Sequence, residues 1–187
     1  MSLSGRQGVQ IQELLTLVEI QLGRDHYLID SDIIDKFILP LQAVGVYDAP
    51  PYIEGMVEWK QEMIPAINIT PLLGMDRITG SKRQRTMIIP AGKVTDTAMA
   101  VSVDEVYLIR KVLPAEVMPV DISACHGIED YVKGIVRIQD EHEGSEQMVL
   151  LYLNLEKMLR ELLKGKVARP TPGFYVWRWD GSGTPSS

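Results

Sequence analysis

The sequence contains few of the residue types that usually perform catalysis or bind metals. Its 187 residues include one cysteine and three histidines. The single Cys125 excludes a disulfide framework within the chain and is typical of a reducing compartment. No apolar run approaches the ~20 residues that a membrane-spanning helix needs, and the chain does not begin with a signal peptide's basic-then-apolar order. These absences predict a cytoplasmic protein without direct membrane insertion.

The charge balance and the overall composition exclude two further classes of protein. The chain has 25 acidic residues against 19 Lys and Arg, a net charge of −6, which argues against a surface built mainly for nucleic acid. With 45% hydrophobic and 24% charged residues it resembles an ordinary globular protein rather than a disordered one. At ~150 residues per domain, we expect one domain or two small halves.

Short runs rich in Val and Ile, separated by turn signals, predict a mainly β protein. In the first run the alternation places Val18 on one face and Glu19 and Gln21 on the other. The predicted strands are residues 14–22, 26–30, 55–60, 62–69, 85–91, 98–103, 107–112, 132–139 and 147–153.

Three helical pieces are expected between and after these strands. Ser31 is a candidate cap for a short helical turn, and Thr70, followed by proline, is a candidate cap for a second. The only long helix should begin after the cap Asn154 and end at Gly165.

Two segments of the chain resemble each other. Tyr52-Ile-Glu-Gly55-Met-Val57 is similar to Tyr131-Val-Lys-Gly134-Ile-Val136, and the segments around Asn68 and Asn154 extend the similarity. A weaker similarity relates residues 27–34 to residues 99–106. A true repeat would predict two small β-barrels, residues 14–75 and 85–165, whereas chance similarity between two hairpins is the alternative explanation.

Both ends of the chain lie outside these barrels. Residues 1–12 are polar, and we interpret them as a flexible N-terminus or a cloning remnant, so that the folded domain would span residues 13–165. The tail, residues 166–187, holds four aromatic residues in six positions, 174–179, between Pro- and Gly-rich ends. Folding back over a barrel edge, binding a partner and disorder are the three interpretations of this tail.

The clusters that could carry chemistry have plainer explanations. Cys125 and His126 pair a nucleophile with a base, but neighbours on an extended chain point apart and no third group orients them. Residues 140–143 offer metal donors, yet metal sites usually draw three or four ligands from separate elements. The basic run 82–85 leads into a strand rather than the helix that a phosphate site needs. We therefore predict a protein that is not an enzyme and has no metal or cofactor.

Five blocks in order resemble the CheW-like domain of bacterial chemotaxis coupling proteins. They are residues 52–57, Ile64-Pro65-Ala66-Ile67-Asn68-Ile69, Val101-Ser-Val103-Asp104-Glu-Val106, residues 131–136 and Leu151-Tyr-Leu-Asn154-Leu-Glu156-Lys-Met-Leu159, within a similarity over residues 14–163. The resemblance implies two small five-stranded SH3-like β-barrels around a shared hydrophobic core. It also implies structural roles for Gly55, Pro65, Asn68, Asp104, Gly134 and Asn154.

The same resemblance implies a non-catalytic adaptor that couples chemoreceptors to a CheA-type histidine kinase. The expected partners are the kinase's regulatory domain and the helical cytoplasmic tip of a chemoreceptor (a methyl-accepting chemotaxis protein), with no nucleic acid. The groove that faces the receptor would involve Ile34, Lys60 and Ile109. The alternative function keeps the fold: a small-molecule sensor, with its ligand between the barrels or under the aromatic tail, or a scaffold for a non-motility signalling array.

The first hairpin departs from the family's pattern where partner binding is expected. The family usually has Asn-Leu-Arg-Gly, and this chain has Glu58-Trp59-Lys60-Gln61. Lys60 keeps the charge of the arginine but loses its planar fork, and Gln61 replaces the turn glycine. Trp59 shares a face with Val57, which favours packing against the barrel, whereas an exposed Trp59 would be an anchor for a partner.

Overall fold

The computed structural model describes residues 13–76, 78, 80–121, 127–139 and 147–165. The described part is mainly β, with ten strands, one α-helix and short 3-10 helices at Thr70–Leu73, Pro114–Glu116 and Glu129–Tyr131. The strands are β1 (Leu15–Leu22), β2 (Asp25–Asp30), β3 (Lys36–Ile38), β4 (Ile53–Trp59), β5 (Glu62–Asn68), β6 (Arg85–Ile89), β7 (Met99–Val103), β8 (Glu105–Val112), β9 (Val132–Gln139) and β10 (Gln147–Leu153), and the helix α1 spans Leu155–Leu163.

The ten strands form two five-stranded sheets with the same internal plan. Sheet A has the order β8-β1-β2-β10-β9 and sheet B the order β3-β6-β7-β5-β4. In each sheet one inner pair is parallel, β2 with β10 and β7 with β5, and the other pairs are antiparallel. Parallel neighbours cannot be joined by a hairpin, so a long stretch of chain must lie between them.

The chain starts sheet A, builds all of sheet B and then returns to complete sheet A. The prediction that residues 14–75 and 85–165 each form a barrel of their own is therefore wrong. The first segment gives β1 and β2 to sheet A and β3, β4 and β5 to sheet B, and the second segment gives strands to both sheets as well. The cause is the parallel pairing of β2 with β10, which brings together two distant parts of the chain.

The similarity within the sequence corresponds to equivalent strands of the two sheets. The hairpin β4–β5 occupies the same end of sheet B that β9–β10 occupies in sheet A. The backbone N–H of Asn68 donates to the carbonyl of Tyr52 at 2.8 Å, and that of Asn154 donates to the carbonyl of Tyr131 at 2.7 Å. The repeat is therefore structural rather than a chance similarity between hairpins.

The weaker similarity, between residues 27–34 and 99–106, is structural too, because these residues include the equivalent strands β2 and β7. In sheet A, Lys133 Nζ lies 2.6 Å from Asp30 Oδ2. At the matching positions of sheet B, Ser102 Oγ donates to Glu54 Oε2 at 2.6 Å. The two halves thus keep the contact and change its chemistry, which explains why the sequence similarity is weak here.

Gly55 lies where the connector between β3 and β4 crosses the outer edge of β4. Val44, on that connector, exchanges two backbone hydrogen bonds with Met56, at 2.8 and 2.9 Å. A Cβ on Gly55 would lie 2.1 Å from the carbonyl oxygen of Val44, and the residue has a φ of 141°. Only glycine fits this close approach of two backbones.

The connector between β8 and β9 crosses sheet A in the same way. Met118 exchanges two backbone hydrogen bonds with Ile135, and a Cβ on Gly134 would lie 2.7 Å from the Met118 carbonyl oxygen. Each connector continues from the strand at the opposite edge of its sheet, so these bridges draw the two edges together. They are single bridges, and among the described residues no strand ladder joins the two edges of either sheet. The five-stranded sheets are thus observed, whereas closure into barrels is not shown.

The largest apolar cluster lies between the two sheets and is covered by α1. The cluster contains Val18, Ile20, Leu22, Tyr27, Ile29 and Leu153 from sheet A, Ile67, Met87, Ile89, Met99, Val101 and Val103 from sheet B, and Leu155, Met158, Leu159 and Leu162 from α1. Two smaller clusters lie inside the individual sheets, one in sheet A around Leu17 and Leu28 and one in sheet B around Val57 and Ile64. The predicted shared hydrophobic core is therefore present.

Two of the three predicted helical pieces differ from the expectation. After Ser31 there is one turn, closed by the backbone N–H of Ile34 donating to the Ser31 carbonyl at 3.1 Å, but no helix. Phe37 lies instead in β3, which pairs with β6, because an apolar run this short does not distinguish a helix from a strand. The 3-10 helix begins at Thr70 as a first residue rather than a cap, with the Asn68 side chain accepting from its backbone N–H at 3.0 Å. The long helix is as predicted, since Asn154 caps it by accepting from the backbone N–H of Lys157.

Candidate protein-interaction surfaces

The hairpin between β4 and β5 turns through Lys60 and Gln61. Both have left-handed backbones, with φ of 51° and 68°, as a type I′ hairpin turn requires. Glycine or asparagine normally takes such positions, because the left-handed conformation costs other residues roughly 1–2 kcal/mol. The turn therefore holds the exposed Lys60 at the tip of sheet B in a strained backbone.

Trp59 packs against the inner side of its sheet, as its shared face with Val57 predicts, and keeps part of its surface accessible. Its half-buried ring packs against the apolar cluster inside sheet B. The Nζ atoms of Lys36 and Lys60 lie 5.9 and 5.7 Å from the centre of that ring, within the range of cation–π contacts. We call Lys36, Trp59 and Lys60 the basic–aromatic patch. Glu58, one position earlier on β4, is exposed.

Ile34 and Ile109 do not join this patch in the same manner. Ile34 precedes β3 in the chain, is half-buried and packs against the shared core. Ile109 belongs to β8, an edge strand of sheet A, and is 70% exposed. The structure thus brings Lys60 and Trp59 together with Lys36, which the sequence did not indicate, and places Ile109 on the other sheet.

Ile109 is part of an exposed apolar strip along β8. Tyr107 and Leu108, its neighbours in the chain, are 39% and 51% exposed. We call these three residues the β8 strip. The signal for it in the sequence is three large apolar or aromatic residues in a row within an edge strand. Exposed apolar side chains on an edge strand favour association with another chain unless they are covered.

A buried ion pair holds β8 against β1. Glu19, on β1, is only 4% exposed, and its Oε2 accepts from Nε and Nη2 of Arg110 at 2.8 and 2.6 Å. His26 Nδ1 lies 2.9 Å from the other carboxylate oxygen, and the His26 ring is 4.5 Å from that of Tyr107. This group links the β8 strip to the two neighbouring strands.

The environment of Glu19 favours its ionised form. Burial alone would raise the pKa of this carboxyl, but hydrogen bonds from His26 and Arg110 and the charge of Arg110 outweigh burial and lower the pKa below its ordinary value. The alternation of β1 correctly separates Glu19 from Val18. The face that carries Glu19 is, however, the inside of the curled sheet A, where Leu17 also lies, and not a solvated face.

The sequence model of the CheW-like domain matches residues 16–163. The chain belongs to the CheW-like domain family. Among solved structures, the crystal structure of the scaffolding protein TtCheW from Thermoanaerobacter tengcongensis is similar, with a TM-score of 0.61 and 17% identity over 75% of this chain and 89% of that one. At this identity the similarity shows the fold. No curated protein matches the sequence.

The other residues singled out in this CheW-like domain hold the backbone. Asp104 Oδ2 accepts from the backbone N–H of Gly23 at 2.6 Å, which ties the β1–β2 turn to the start of β8. Pro65 stands opposite Met56, whose own N–H and carbonyl both pair with Val44. The missing N–H of the proline therefore breaks no hydrogen bond between β4 and β5.

The two tyrosines of the repeat both contact α1. Tyr52 donates from its hydroxyl to the carbonyl of Leu162 at 3.3 Å, and Tyr131 donates to Glu161 Oε2 at 2.7 Å. Burial and the hydrogen bond to Glu161 raise the pKa of Tyr131 to about 12. Both hydroxyls donate hydrogen bonds that fasten the C-terminal half of the helix, Tyr52 at the start of the β4–β5 hairpin and Tyr131 at the start of the β9–β10 hairpin.

The described residues of the CheW-like domain offer no group of three or more His, Cys, Asp or Glu that could hold a metal. Within the same residues, no helix is long and apolar enough to cross a membrane. Cys125 and His126, and the donors at 140–143, lie outside the described residues.

Proposed function

We propose that this CheW-like domain is a non-catalytic adaptor in the cytoplasm, coupling chemoreceptors to a CheA-type histidine kinase in a chemotaxis-type array. The observation that carries the proposal is the presence of two separate surfaces on one family fold. The basic–aromatic patch lies on sheet B, and the β8 strip lies on sheet A. An adaptor needs two such surfaces because both partners must bind at the same time.

The basic–aromatic patch is suited to a helical receptor tip. A helix that docks in a shallow groove presents apolar anchors at i, i+3 and i+4, and Trp59 offers a flat aromatic surface for them. Lys36 and Lys60 flank that surface with positive charge and would contact carboxylates at the rim of the helix. Ile34 would support this site from the core side, and Glu58 would discourage acidic side chains beside the turn.

The resemblance to the family placed Ile109 in the receptor-facing groove with Lys60, but the two residues lie on different sheets. In this proposal the β8 strip, with Ile109, instead binds the kinase's regulatory domain. The three exposed side chains of the strip are apolar or aromatic, whereas the neighbouring Arg110 is engaged by the buried Glu19. Such a surface favours a flat protein partner, because burying apolar area provides affinity without a specific counter-charge. In this proposal the signal passes as a change in the relative positions of kinase and receptor, with no bond made or broken in the adaptor.

The space between the two sheets, one of the two places where a small-molecule sensor would hold its ligand, is occupied by protein. Tyr27 and Leu153 from sheet A, and Ile67 and Met87 from sheet B, lie between the sheets with no exposed surface. This packing favours the adaptor over the sensor. A scaffold of a non-motility array would use the same two surfaces, and the genes next to this one would distinguish the two outputs.

The proposal is tested by assembling the ternary complex. The full chain is mixed with the regulatory domain of a CheA-type kinase and with a receptor cytoplasmic tip, and the masses are measured by size exclusion with light scattering. We expect each binary complex and a ternary complex that contains all three proteins. Mutually exclusive binding would mean a single shared surface, and binding to neither partner would refute the adaptor role.

A further inference from the structure

The connector between β3 and β4 carries a second group of exposed apolar side chains. Val44 and Val46 are 66% and 49% exposed, and Tyr47 is fully exposed. We call these three residues the connector patch. Asp48 is the only charged residue in the stretch 39–51. The hydrogen bonds between Val44 and Met56 fix the patch along the outer edge of sheet B.

The chain leaves α1 close to this patch. The hydroxyl of Tyr52 donates to the carbonyl of Leu162 in the last turn of the helix. Tyr52 follows Tyr47 by five residues, which span at most ~17 Å even when fully extended. After α1, Gly165 adopts a left-handed backbone with φ 65°, and residues 166–187 follow.

The sequence beyond Gly165 has the reach and the chemistry to cover the patch. Nine residue steps separate Gly165 from Phe174, and they span up to ~30 Å, about the diameter of a small domain. The aromatic segment, residues 174–179, reads Phe-Tyr-Val-Trp-Arg-Trp. Residues 166–187 contain three basic residues and one acidic residue, whereas the connector 39–51 that carries the patch has one charged residue, the exposed Asp48. Apolar surface and charge are thus complementary.

We propose that the aromatic segment 174–179 docks on the connector patch of its own chain. A short linker keeps the segment at an effective concentration in the millimolar range near its own patch, which favours this arrangement over contact with a second copy. The docked segment would bury Val44, Val46 and Tyr47 and protect the outer edge of sheet B from other chains. Neither kinase nor receptor binding is needed for this contact to form.

Tryptophan fluorescence of the full chain tests the proposal. The chain has three tryptophans, so Trp59→Phe leaves Trp177 and Trp179 as reporters of the tail. In this background we expect a blue-shifted emission and acrylamide quenching severalfold weaker than for a synthetic peptide of residues 166–187. Adding Val44→Ser and Tyr47→Ser should restore the peptide's emission and quenching. Both side chains are exposed, and serine keeps the backbone hydrogen bonds of Val44, so the fold should persist; circular dichroism checks this.

A matched substitution on sheet A and a dilution series test two other arrangements, in which the tail docks on β8 or on a second copy of the chain. Leu108→Ser removes an apolar side chain of similar exposure from β8 and should leave the tail's emission unchanged. The signal should also be independent of protein concentration. Three results would each overturn the proposal. The first is an emission of the full chain equal to that of the free peptide, and the second is a response to Leu108→Ser instead of to the patch variant. The third is a loss of protection on dilution, which would indicate docking on a second copy.

Discussion

The ammonium group of Lys36 lies 5.9 Å from the centre of the Trp59 ring, although the two residues belong to strands at opposite edges of sheet B. The sheet must therefore curl until β3 and β4 face each other across this side chain. Lys60 approaches the same ring at 5.7 Å. The tryptophan with which this chain departs from the family's usual hairpin is thus both a packing residue between the edges and the centre of an exposed basic surface.

Replacing Gln61 with glycine should stabilise the protein. Gln61 has a φ of 68°, which glycine adopts without steric cost, so we expect the free energy of unfolding to rise by about 0.5–1 kcal/mol. Urea denaturation measures the change. Gln42→Gly is the matched control: Gln42 is exposed and has no positive φ, so the same substitution there should give no gain. Equal effects at both positions would show that turn strain is not the cause.

Replacing Gly55 with alanine should destabilise the protein by about 2–4 kcal/mol, from steric overlap and an unfavourable backbone angle together. The new Cβ would lie 2.1 Å from the Val44 carbonyl oxygen, so the connector would have to move off β4. Gly45→Ala serves as the control, because no atom lies within 4 Å of the position of its Cβ. A thermal melt compares the two variants, and an equally mild effect at both positions would contradict the close approach.

Breaking the ion pair between Glu19 and Arg110 should destabilise sheet A. Arg110→Met leaves the carboxylate of Glu19 buried with one fewer charged partner, which we expect to cost about 2–4 kcal/mol. Lys111→Met, at the next and more exposed position of β8, removes the same charge and should change stability far less. Similar losses of unfolding free energy in the two variants would mean that the ion pair of Arg110 with Glu19 does not stabilise the sheet.

The same carboxyl should make stability depend on acid pH. The pKa of Glu19 is lower in the folded chain than its ordinary value of 4.5. At pH values between the folded pKa and 4.5, the unfolded chain therefore binds a proton more readily than the folded chain does. The contribution of Glu19 to stability is therefore complete above about pH 5 and is lost as the pH falls through the folded pKa. Glu19→Gln should show a shallower loss of stability on acidification than wild type, whereas Glu62→Gln, at an exposed position, should follow wild type. Parallel curves for wild type and Glu19→Gln would refute this role.

Local features of the sequence predicted the positions of most strands. How the strands assemble into two sheets depends on pairing between distant segments, which the sequence did not show. Alternation and turn residues carry the positions of strands such as β1 and β9, and the Asn154 cap marks the start of α1. The interleaving of the sheets depends on the parallel pairing of β2 with β10, and no short window of sequence contains both strands.

The candidate interaction surfaces were also predictable only where they depend on local sequence. The exposed position of Lys60 follows from the hairpin turn, which the sequence indicates through the break between the predicted strands 55–60 and 62–69. The contact of Lys36 with Trp59 arises only when sheet B curls, so no pattern in the sequence indicates it. Likewise Glu19 alternates like a solvated residue, and its burial becomes visible only once Arg110 from β8 is placed beside it.

Replacing Ile109 with aspartate should weaken kinase binding without unfolding the domain. Ile109 is 70% exposed, so we expect a change in stability of no more than about 0.5 kcal/mol. Loss of an apolar anchor from the β8 strip should weaken binding to the regulatory domain by about tenfold or more. Leu39→Asp introduces the same charge at a position that is 71% exposed and should leave this affinity unchanged. Calorimetric titration with the regulatory domain measures both, and an unaffected Ile109→Asp variant would remove the β8 strip from the interface.

Reversing the charge of Lys60 should weaken receptor binding and leave kinase binding intact. Lys60→Glu places an acid beside Glu58 and removes the cation next to Trp59, so a helix with acidic rim residues would be repelled. Lys60→Arg, which restores the residue common in the family, should bind at least as well as wild type. Lys82→Glu makes the same change in net charge at another exposed lysine and should have little effect beyond a weak, salt-dependent one. The two proposed surfaces lie on different sheets. An equal loss of affinity for the receptor and for the kinase in Lys60→Glu would therefore mean that the two partners share one site.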